Sequence, residues 1–218
     1  MASSFQAFIA ELASKVVLGK TPAITRVAIN GVDGSGKSYM ADALAEALVQ
    51  RGERVIQSSV DFFHNPRSVR YAKGRDSPEG FYRDSFSIEA LKTRLLEPLG
   101  PGGCRVYKTK HFDYRMDQTV DADAETARDG DVLVFDGIFL FTPELTPLWD
   151  VKVFLEVSFE ETFRRMMIRD GSDPEEHAAS NRRYRLGQQL YLDECRPAEL
   201  ADIVIDNRDF DHPRFMRG

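Results

Sequence analysis

The sequence predicts an α/β fold, a doubly wound parallel sheet in three layers, on three observations. Segments with strand patterns alternate with segments with helix patterns along the 218 residues, which is typical of a parallel sheet covered by helices on both faces. Residues 132–135 are four successive apolar residues between two carboxylates, as expected of a central strand. A glycine-rich turn separates the first strand from its helix. We expect a single domain over 1–218.

The first half of the chain contains three predicted helices and two predicted strands. Apolar residues near helical spacing indicate the helices, and Gly, Pro and Ser mark where they begin and end. The elements are a helix over 2–18, a strand over 25–30, a helix over 39–51, a strand over 53–60 and a helix over 87–97. Residues 62–86, which are rich in Arg, Lys, Gly and Pro over 65–80, are predicted to form a mobile loop.

The second half continues the alternation. Residues 104–113 are expected to form a strand or hairpin arm, and 114–129 are polar and irregular. The remaining elements are strands over 131–136, 151–157 and 201–206, a helix over 159–170, and a second helix that follows the turn at 171–174 and ends near 194. Because parallel strands end at a common edge, ligand-binding residues are expected where the first, second and central strands end.

Composition narrows the classes of function. A net charge of −6 and a pI near 5.3 argue against general binding to nucleic acid or to an anionic membrane. No apolar run is long enough to span a bilayer. Cys104 and Cys195 lack metal-binding spacing, so we expect free thiols and a cytoplasmic location. The four histidines are too scattered for a metal cluster. The oligomeric state stays open, a homo-oligomer included.

Residues Gly31–Ser38 have the spacing of a phosphate-binding P-loop, between a predicted strand and a predicted helix. Glycines permit a backbone that turns N–H groups toward an anion, while Lys37 supplies a cation and the Ser38 hydroxyl can bind Mg²⁺. The alternative is a glycine turn that binds no nucleotide. The predicted nucleotide-binding residues are Gly31, Asp33, Gly34, Ser35, Gly36, Lys37, Ser38 and Tyr39.

Two carboxylates follow strands that end at the same edge. Asp136 is a candidate metal ligand together with Ser38, and the alternative is a carboxylate in an Asp-Gly turn. Asp61 is a candidate general base that accepts the proton of a substrate hydroxyl, and the alternative is a cap or turn residue. Phosphoryl transfer needs both functions, together with cations on the transferring group.

Several basic and aromatic residues are candidates for substrate contacts. Arg165 and Arg169 lie on one face of the helix over 159–170, where a guanidinium can contact the γ-phosphoryl group. The alternative is a solvated basic face. For Arg182, Arg183 and Arg185 the same choice arises, and the interpretation as solvated or salt-bridged side chains is favoured. Phe63 and Tyr114 can stack on a base or pack in the interior.

With these motifs in place, the chain resembles the uridine kinase and phosphoribulokinase-like family of P-loop kinases over about residues 24–213. The matching segments are Gly31–Ser38, Asp61-Phe62-Phe63, Phe112-Asp113-Tyr114, Phe135-Asp136-Gly137-Ile138, Arg165 with Arg169-Asp170, and 201–207. The resemblance implies the P-loop nucleoside triphosphate hydrolase fold, ATP as donor, Mg²⁺ as cofactor, Asp61 as base and Arg169 as a cation of a short lid over about 169–180. It places Asp84 near a ribose-binding aspartate of the family, displaced in this chain.

The leading hypothesis is an ATP-dependent kinase that phosphorylates a hydroxyl of a nucleoside-like small molecule, uridine or cytidine first. On this hypothesis residues 62–86 lie on the acceptor side, and the substrate-binding residues are Phe63, Asp84, Tyr114 and Arg165. The same chemistry on pantothenate, a sugar or a sugar phosphate is one alternative. An ATP-binding regulator without an acceptor is the other. A guanine-nucleotide switch is excluded because the chain lacks an Asn-Lys-x-Asp motif.

Overall fold

The computed structural model describes residues 4–218. The strands are β1 (Thr25–Gly31), β2 (Val55–Ser59), β3 (Val106–Tyr107), β4 (Phe112–Asp113), β5 (Gln118–Thr119), β6 (Glu125–Thr126), β7 (Val132–Gly137), β8 (Val151–Glu156), β9 (Ile203–Asp206) and β10 (Arg214–Arg217). The helices are α1 (Ser4–Leu18), α2 (Lys37–Gln50), α3 (Arg67–Arg70), α4 (Pro78–Asp84), α5 (Ile88–Leu91), α6 (Phe159–Asp170), α7 (Ala179–Cys195) and α8 (Pro197–Leu200).

Six strands form one sheet in the order β10-β9-β8-β1-β7-β2. The five strands from β9 to β2 are parallel, as the alternation of strands and helices predicts. The edge strand β10, which the sequence patterns did not predict, is antiparallel to β9, so the sheet is mixed with mostly parallel strands. β10 is short and contains two arginines, which is typical of an edge strand facing solvent on one side.

The central strand β1 separates two apolar clusters. Val27 and Ile29 point into a cluster formed with α1 and α2. Ala28 points into the opposite cluster, which contains apolar residues of α4, α5 and α7. Side chains alternate between the two faces of a strand, so both faces of β1 are buried between helices. The fold is therefore the predicted three-layer α/β architecture.

Local differences from the sequence prediction lie mostly outside the sheet. Residues 2 and 3 of the predicted N-terminal helix lie outside the described residues, and the remainder forms α1. The loop over 62–86 contains α3 and α4. The predicted helix over 87–97 is α5, whose Ser87 cap accepts from the Ala90 N–H at 3.3 Å, followed by a π-helical turn over 92–96. The segment over 104–129 forms two small antiparallel pairs, β3-β6 and β4-β5.

Across residues 4–218, the structure contains no helix that is both long enough and apolar enough to cross a membrane.

Candidate active site

One cleft of about 380 Å³ lies at the edge where β1, β2 and β7 end. The phosphate-loop residues follow β1, Asp61 follows β2, and Asp136 lies near the end of β7. Because these strands are parallel, their carboxyl ends meet at one edge. The lining includes Asp33, Lys37, Asp61, Asp136 and Arg169. The structure thus brings together the cations and carboxylates that the sequence places in separate segments.

The segment after β1 has the backbone of an anion-binding loop. Gly34 and Gly36 have φ values of 74° and 93°, a region that residues with a side chain rarely occupy. A Cβ atom on Gly31 would lie 2.6 Å from the Ser35 Oγ. The loop therefore needs glycine at these positions. At its end α2 begins, so the helix directs its free N–H groups and its positive dipole toward the cleft.

The Lys37 ammonium lies within the loop that it closes. Its Nζ donates to the Val32 carbonyl at 2.8 Å. Burial lowers the pKa of Lys37, whereas the charges of Asp33, Asp136 and Asp61 oppose that shift. Burial likewise raises the pKa of Asp33, and the Lys37 charge opposes the shift. The cleft therefore holds a cation and three carboxylates close enough to influence one another.

Asp136 and Ser38 form the candidate metal site. The Ser38 hydroxyl donates to Asp136 Oδ2 at 2.7 Å, and burial raises the pKa of Asp136. These are hard oxygen ligands of the kind that Mg²⁺ prefers, and Mg²⁺ in kinases is commonly held by one or two protein groups plus phosphate oxygens. In the described part of the chain, no group of three or more His, Cys, Asp or Glu residues could hold a metal. The pair therefore fits an ion shared with a bound phosphate.

Asp61 lines the same cleft and lies in a single 3₁₀ turn over Val60–Phe63. Its side chain is exposed to the cleft. The ring of His64 contacts the Asp61 carbonyl through Nδ1 at 2.9 Å. Burial lowers the pKa of His64, which favours the neutral ring at pH 7. Asp61 is thus an exposed acidic side chain that lines the same cleft as Lys37 and Asp136.

Arg165 and Arg169 both line the cleft from α6 but have different surroundings. Arg165 is buried and donates to Glu161 at 2.7 Å and to the carbonyls of Asn207 and Arg208 at 2.7 and 2.9 Å. Arg169 is exposed and pairs with its neighbour Asp170 at 2.7 Å. Arg165 therefore holds α6 against the segment after β9, and Arg169 is the more available cation.

The remaining predicted site residues are divided between several locations. Tyr39 is exposed at the cleft, with its ring 6.1 Å from that of Phe210. Phe63 is fully buried in an apolar cluster, so its ring packs in the interior. Asp84 lies outside the cleft and forms an ion pair with Lys73 at 3.1 Å. Tyr114 lines a different cavity. The structure therefore does not bring Phe63, Asp84 and Tyr114 into the cleft.

That second cavity has a volume of about 350 Å³ and lies between α3, α4, α7 and the segment around Tyr114. Its lining residues are His64, Arg67, Arg70, Tyr71, Phe81, Ser85, Tyr114, Arg115, Arg183 and Tyr184. Arg183 is only 8% exposed and donates to the Arg75 carbonyl at 2.5 Å. The interpretation of Arg183 as solvated or salt-bridged is therefore wrong.

Three residues that contact the phosphate loop were not identified from the sequence. The Gln188 side chain accepts from the Asp33 N–H at 2.5 Å. The Asn207 amide donates to the Ser35 carbonyl at 2.7 Å, and the Phe210 ring lies against Gly36. Asn207 falls within the segment that carries the family resemblance, which was the one available signal. Gln188 and Phe210 have no local pattern that marks them.

Comparisons with known proteins agree with this geometry. No family model matches the chain. A uridine kinase of Leuconostoc citreum is 25% identical over 150 residues, which are 66% of this chain and 67% of that protein. A structure provisionally described as a uridine kinase of Bacillus stearothermophilus superposes with a TM-score of 0.71 at 22% identity, covering 90% of this chain and 96% of the other. One provisionally described as a fructose transport system kinase of Silicibacter sp. TM1040 gives 0.64 at 25% identity, covering 86% and 94%.

The fold and the cleft, together with these relatives, define a small-molecule kinase with a P-loop. Such similarity implies the use of a nucleotide and of a small-molecule substrate. Within that class, the chain is most simply compared with uridine kinases, to which its matched curated relatives and the structure with the TM-score of 0.71 are assigned by name.

Proposed function

We propose that the chain transfers the γ-phosphate of ATP to a hydroxyl group of a small acceptor. One observation carries the proposal. A single cleft is lined by the phosphate loop, Lys37, the hydrogen-bonded Ser38–Asp136 pair and Asp61. In-line transfer requires a held phosphate chain and a base that can reach the acceptor hydroxyl.

Each residue has a defined task in this proposal. The loop N–H groups and Lys37 bind the phosphate chain. Ser38 and Asp136 would hold Mg²⁺, which neutralises phosphate charge when bound. Asp61 accepts the proton of the acceptor hydroxyl. The hydroxyl oxygen bonds to the γ-phosphorus, and the bond from the γ-phosphorus to the β-phosphate oxygen breaks. Arg169 stabilises the charge that develops on the transferring group.

Two classes of acceptor have specific support. Uridine or cytidine comes first because the matched curated relatives are uridine kinases. A sugar is the second because of the similarity to the structure described as a fructose transport system kinase. A ³¹P NMR screen of uridine, cytidine, pantothenate and fructose with Mg-ATP distinguishes them. ATP binding without phosphorylation of any hydroxylated compound would instead indicate an ATP-binding regulator.

The role of Asp61 is tested by the substitution Asp61→Asn. The amide keeps the shape of the side chain but is not a base, so turnover is expected to fall by ~10²-fold or more. Nucleotide affinity, measured by calorimetry, should stay nearly unchanged. Asp76→Asn is the matched control because Asp76 is exposed and lies in the same loop away from the cleft. Unchanged turnover of Asp61→Asn would remove Asp61 from the mechanism.

A further inference from the structure

The second cavity, called here the arginine cavity, concentrates positive charge in an acidic protein. Four arginines line it, Arg67, Arg70, Arg115 and Arg183, although the net charge of the chain is −6. Among the residues described, 4–218, no Asp or Glu lines this cavity. The cavity is therefore a local site of opposite charge to the molecule as a whole.

The contacts around the arginine cavity leave most of this charge uncompensated. Asp117 forms an ion pair with one of the four arginines, Arg70, at 3.4 Å. Arg70 also donates to the carbonyl of Asn65, and Arg183 donates to the carbonyls of Arg75 and Arg70, all of which are neutral. Neutral hydrogen-bond acceptors such as these carbonyls hold a guanidinium in place without cancelling its charge.

The nearest acidic side chains of α4 and α7 are engaged elsewhere. Asp84 and Glu79 pair with Lys73, and Glu194 pairs with Arg83. His64, which also lines the cavity, adds no cation at pH 7 because burial lowers its pKa. The net charge of the lining thus comes from its arginines.

Arg183 has the features of a built anion contact. Only 8% of its surface is exposed, and its Nε has no hydrogen-bond partner. The guanidinium lies 4.8 Å from the Tyr71 ring centre and 5.6 Å from that of Phe81, and such stacking fixes its plane. A buried donor without a partner costs free energy unless a ligand satisfies it.

The arginine cavity adjoins the proposed general base. His64 lines the cavity and contacts the Asp61 carbonyl at 2.9 Å, while Asp61 itself lines the main cleft. His64 lies within electrostatic range of both Asp61 and Arg70, so a molecule whose hydroxyl group reaches Asp61 can extend past His64 toward the arginines. In this arrangement the phosphate loop binds the nucleotide, and the arginine cavity is available to bind the acceptor.

We infer that the arginine cavity binds a phosphate or carboxylate group of the acceptor, so that the acceptor is an anionic, hydroxylated small molecule. Guanidinium groups form paired, charge-assisted hydrogen bonds with both kinds of anion. The inference rests on the proposed function, because it assumes that Asp61 receives the acceptor hydroxyl. Among the acceptor classes left open above, it favours phosphorylated or carboxylated molecules over neutral nucleosides and sugars.

The first experiment compares acceptors that differ only in charge. The pairs are uridine with uridine 5′-monophosphate and ribose with ribose 5-phosphate for the phosphate source, and glycerol with glycerate for the carboxylate source. With Mg-ATP, kcat/KM is expected to be at least ~10-fold higher for the anionic member of the productive pair. Equal or better turnover of the neutral members overturns the inference and leaves the kinase function intact.

The second experiment changes the cavity. The double variant carries Arg67→Gln and Arg115→Gln. Both arginines are exposed, so the variant should fold, and an unchanged midpoint of thermal unfolding would verify this. KM for the anionic acceptor is expected to rise by ~10-fold or more, with KM for ATP unchanged. Arg182→Gln is the control, because Arg182 is exposed on the same helix as Arg183 but outside the cavity. An unchanged acceptor KM in the double variant contradicts the inference.

A binding measurement separates failure of the inference from failure of the proposed function. Inorganic phosphate is titrated by ³¹P NMR into protein saturated with a non-hydrolysable ATP analogue and Mg²⁺, so that the P-loop is already occupied. Wild-type protein should bind one further phosphate, and the double variant should bind it at least ~10-fold more weakly. No further phosphate, or equal binding by both proteins, overturns the inference. Phosphate binding without transfer to any acceptor overturns the kinase proposal and leaves the arginine cavity as an anion site without an acceptor role.

Discussion

Glu161 is the residue whose replacement gives the sharpest test of how α6 is held. Its carboxylate accepts from Arg164 at 2.7 Å and from the buried Arg165 at 2.7 Å. Hydrogen bonds from Arg164 and then Arg165 lower the pKa of Glu161 from 4.5 to about 2. The substitution Glu161→Gln removes the negative charge and leaves the shape of the side chain.

The size of the effect follows from that pKa. The difference between 4.5 and about 2 corresponds to at most ~3 kcal/mol of folding free energy. Arg164 is 55% exposed, so solvent weakens its share and we expect a loss of about 1–2 kcal/mol at pH 7. Because the folded-state pKa is lowered, this stabilisation is complete above pH 4.5 and is lost as the pH falls through about 2.

Urea denaturation of wild type and Glu161→Gln at pH 7 and at pH 3 measures the difference in unfolding free energy. The difference should be about 1–2 kcal/mol at pH 7 and smaller at pH 3. Glu160→Gln is the control, since Glu160 is exposed in the same first turn of α6, and it should change little at either pH. An equal loss for Glu161→Gln at both pH values would refute the assignment of its stabilising effect to the charge.

Two further predictions concern the phosphate loop and the core. Gly36 has a φ of 93°, and the methyl group added in Gly36→Ala would meet the Phe210 ring. Gly52 has a φ of 84°, and the methyl group added in Gly52→Ala would have no heavy atom within 4 Å. Both should lose ~1–2 kcal/mol from backbone strain, but only Gly36→Ala should weaken nucleotide binding in calorimetry, and equal affinities would contradict this. Arg26→Gln breaks a paired contact with Asp150 at 2.9 and 3.0 Å, in which Arg26 is 4% exposed. It should cost ~3 kcal/mol in urea denaturation, and a loss below ~1 kcal/mol would show that the pair adds little.

The sheet and its catalytic edge are largely predictable because they depend on local patterns. β7, β8 and β9 contain short apolar runs. The residues that follow each parallel strand are fixed at the common edge by the direction of the chain. This is why Lys37, Asp61 and Asp136 are found in one cleft. Their chemical roles remain predictions, since position alone does not assign them.

The contacts around that edge are less predictable because they join distant segments. Gln188 bonds to Asp33 across 155 residues of sequence, and no local pattern marks such a pair. Arg183 belongs to a basic stretch that is typical of a solvated helix face, yet it is buried by α4 and the residues before it. The antiparallel strand β10 is four residues long with an arginine at each end, too short and too charged for a strand pattern to be distinctive.

The bond from Asn207 to the Ser35 carbonyl has a consequence for synthesis. A ribosome adds 172 more residues after Ser35 before the partner amide exists, and Phe210 comes later still. When the whole phosphate loop has left the ribosome, the nascent chain therefore still lacks the Asn207 and Phe210 side chains that contact this loop. The conformation of the loop that binds a triphosphate should accordingly form only after Phe210 has been synthesised.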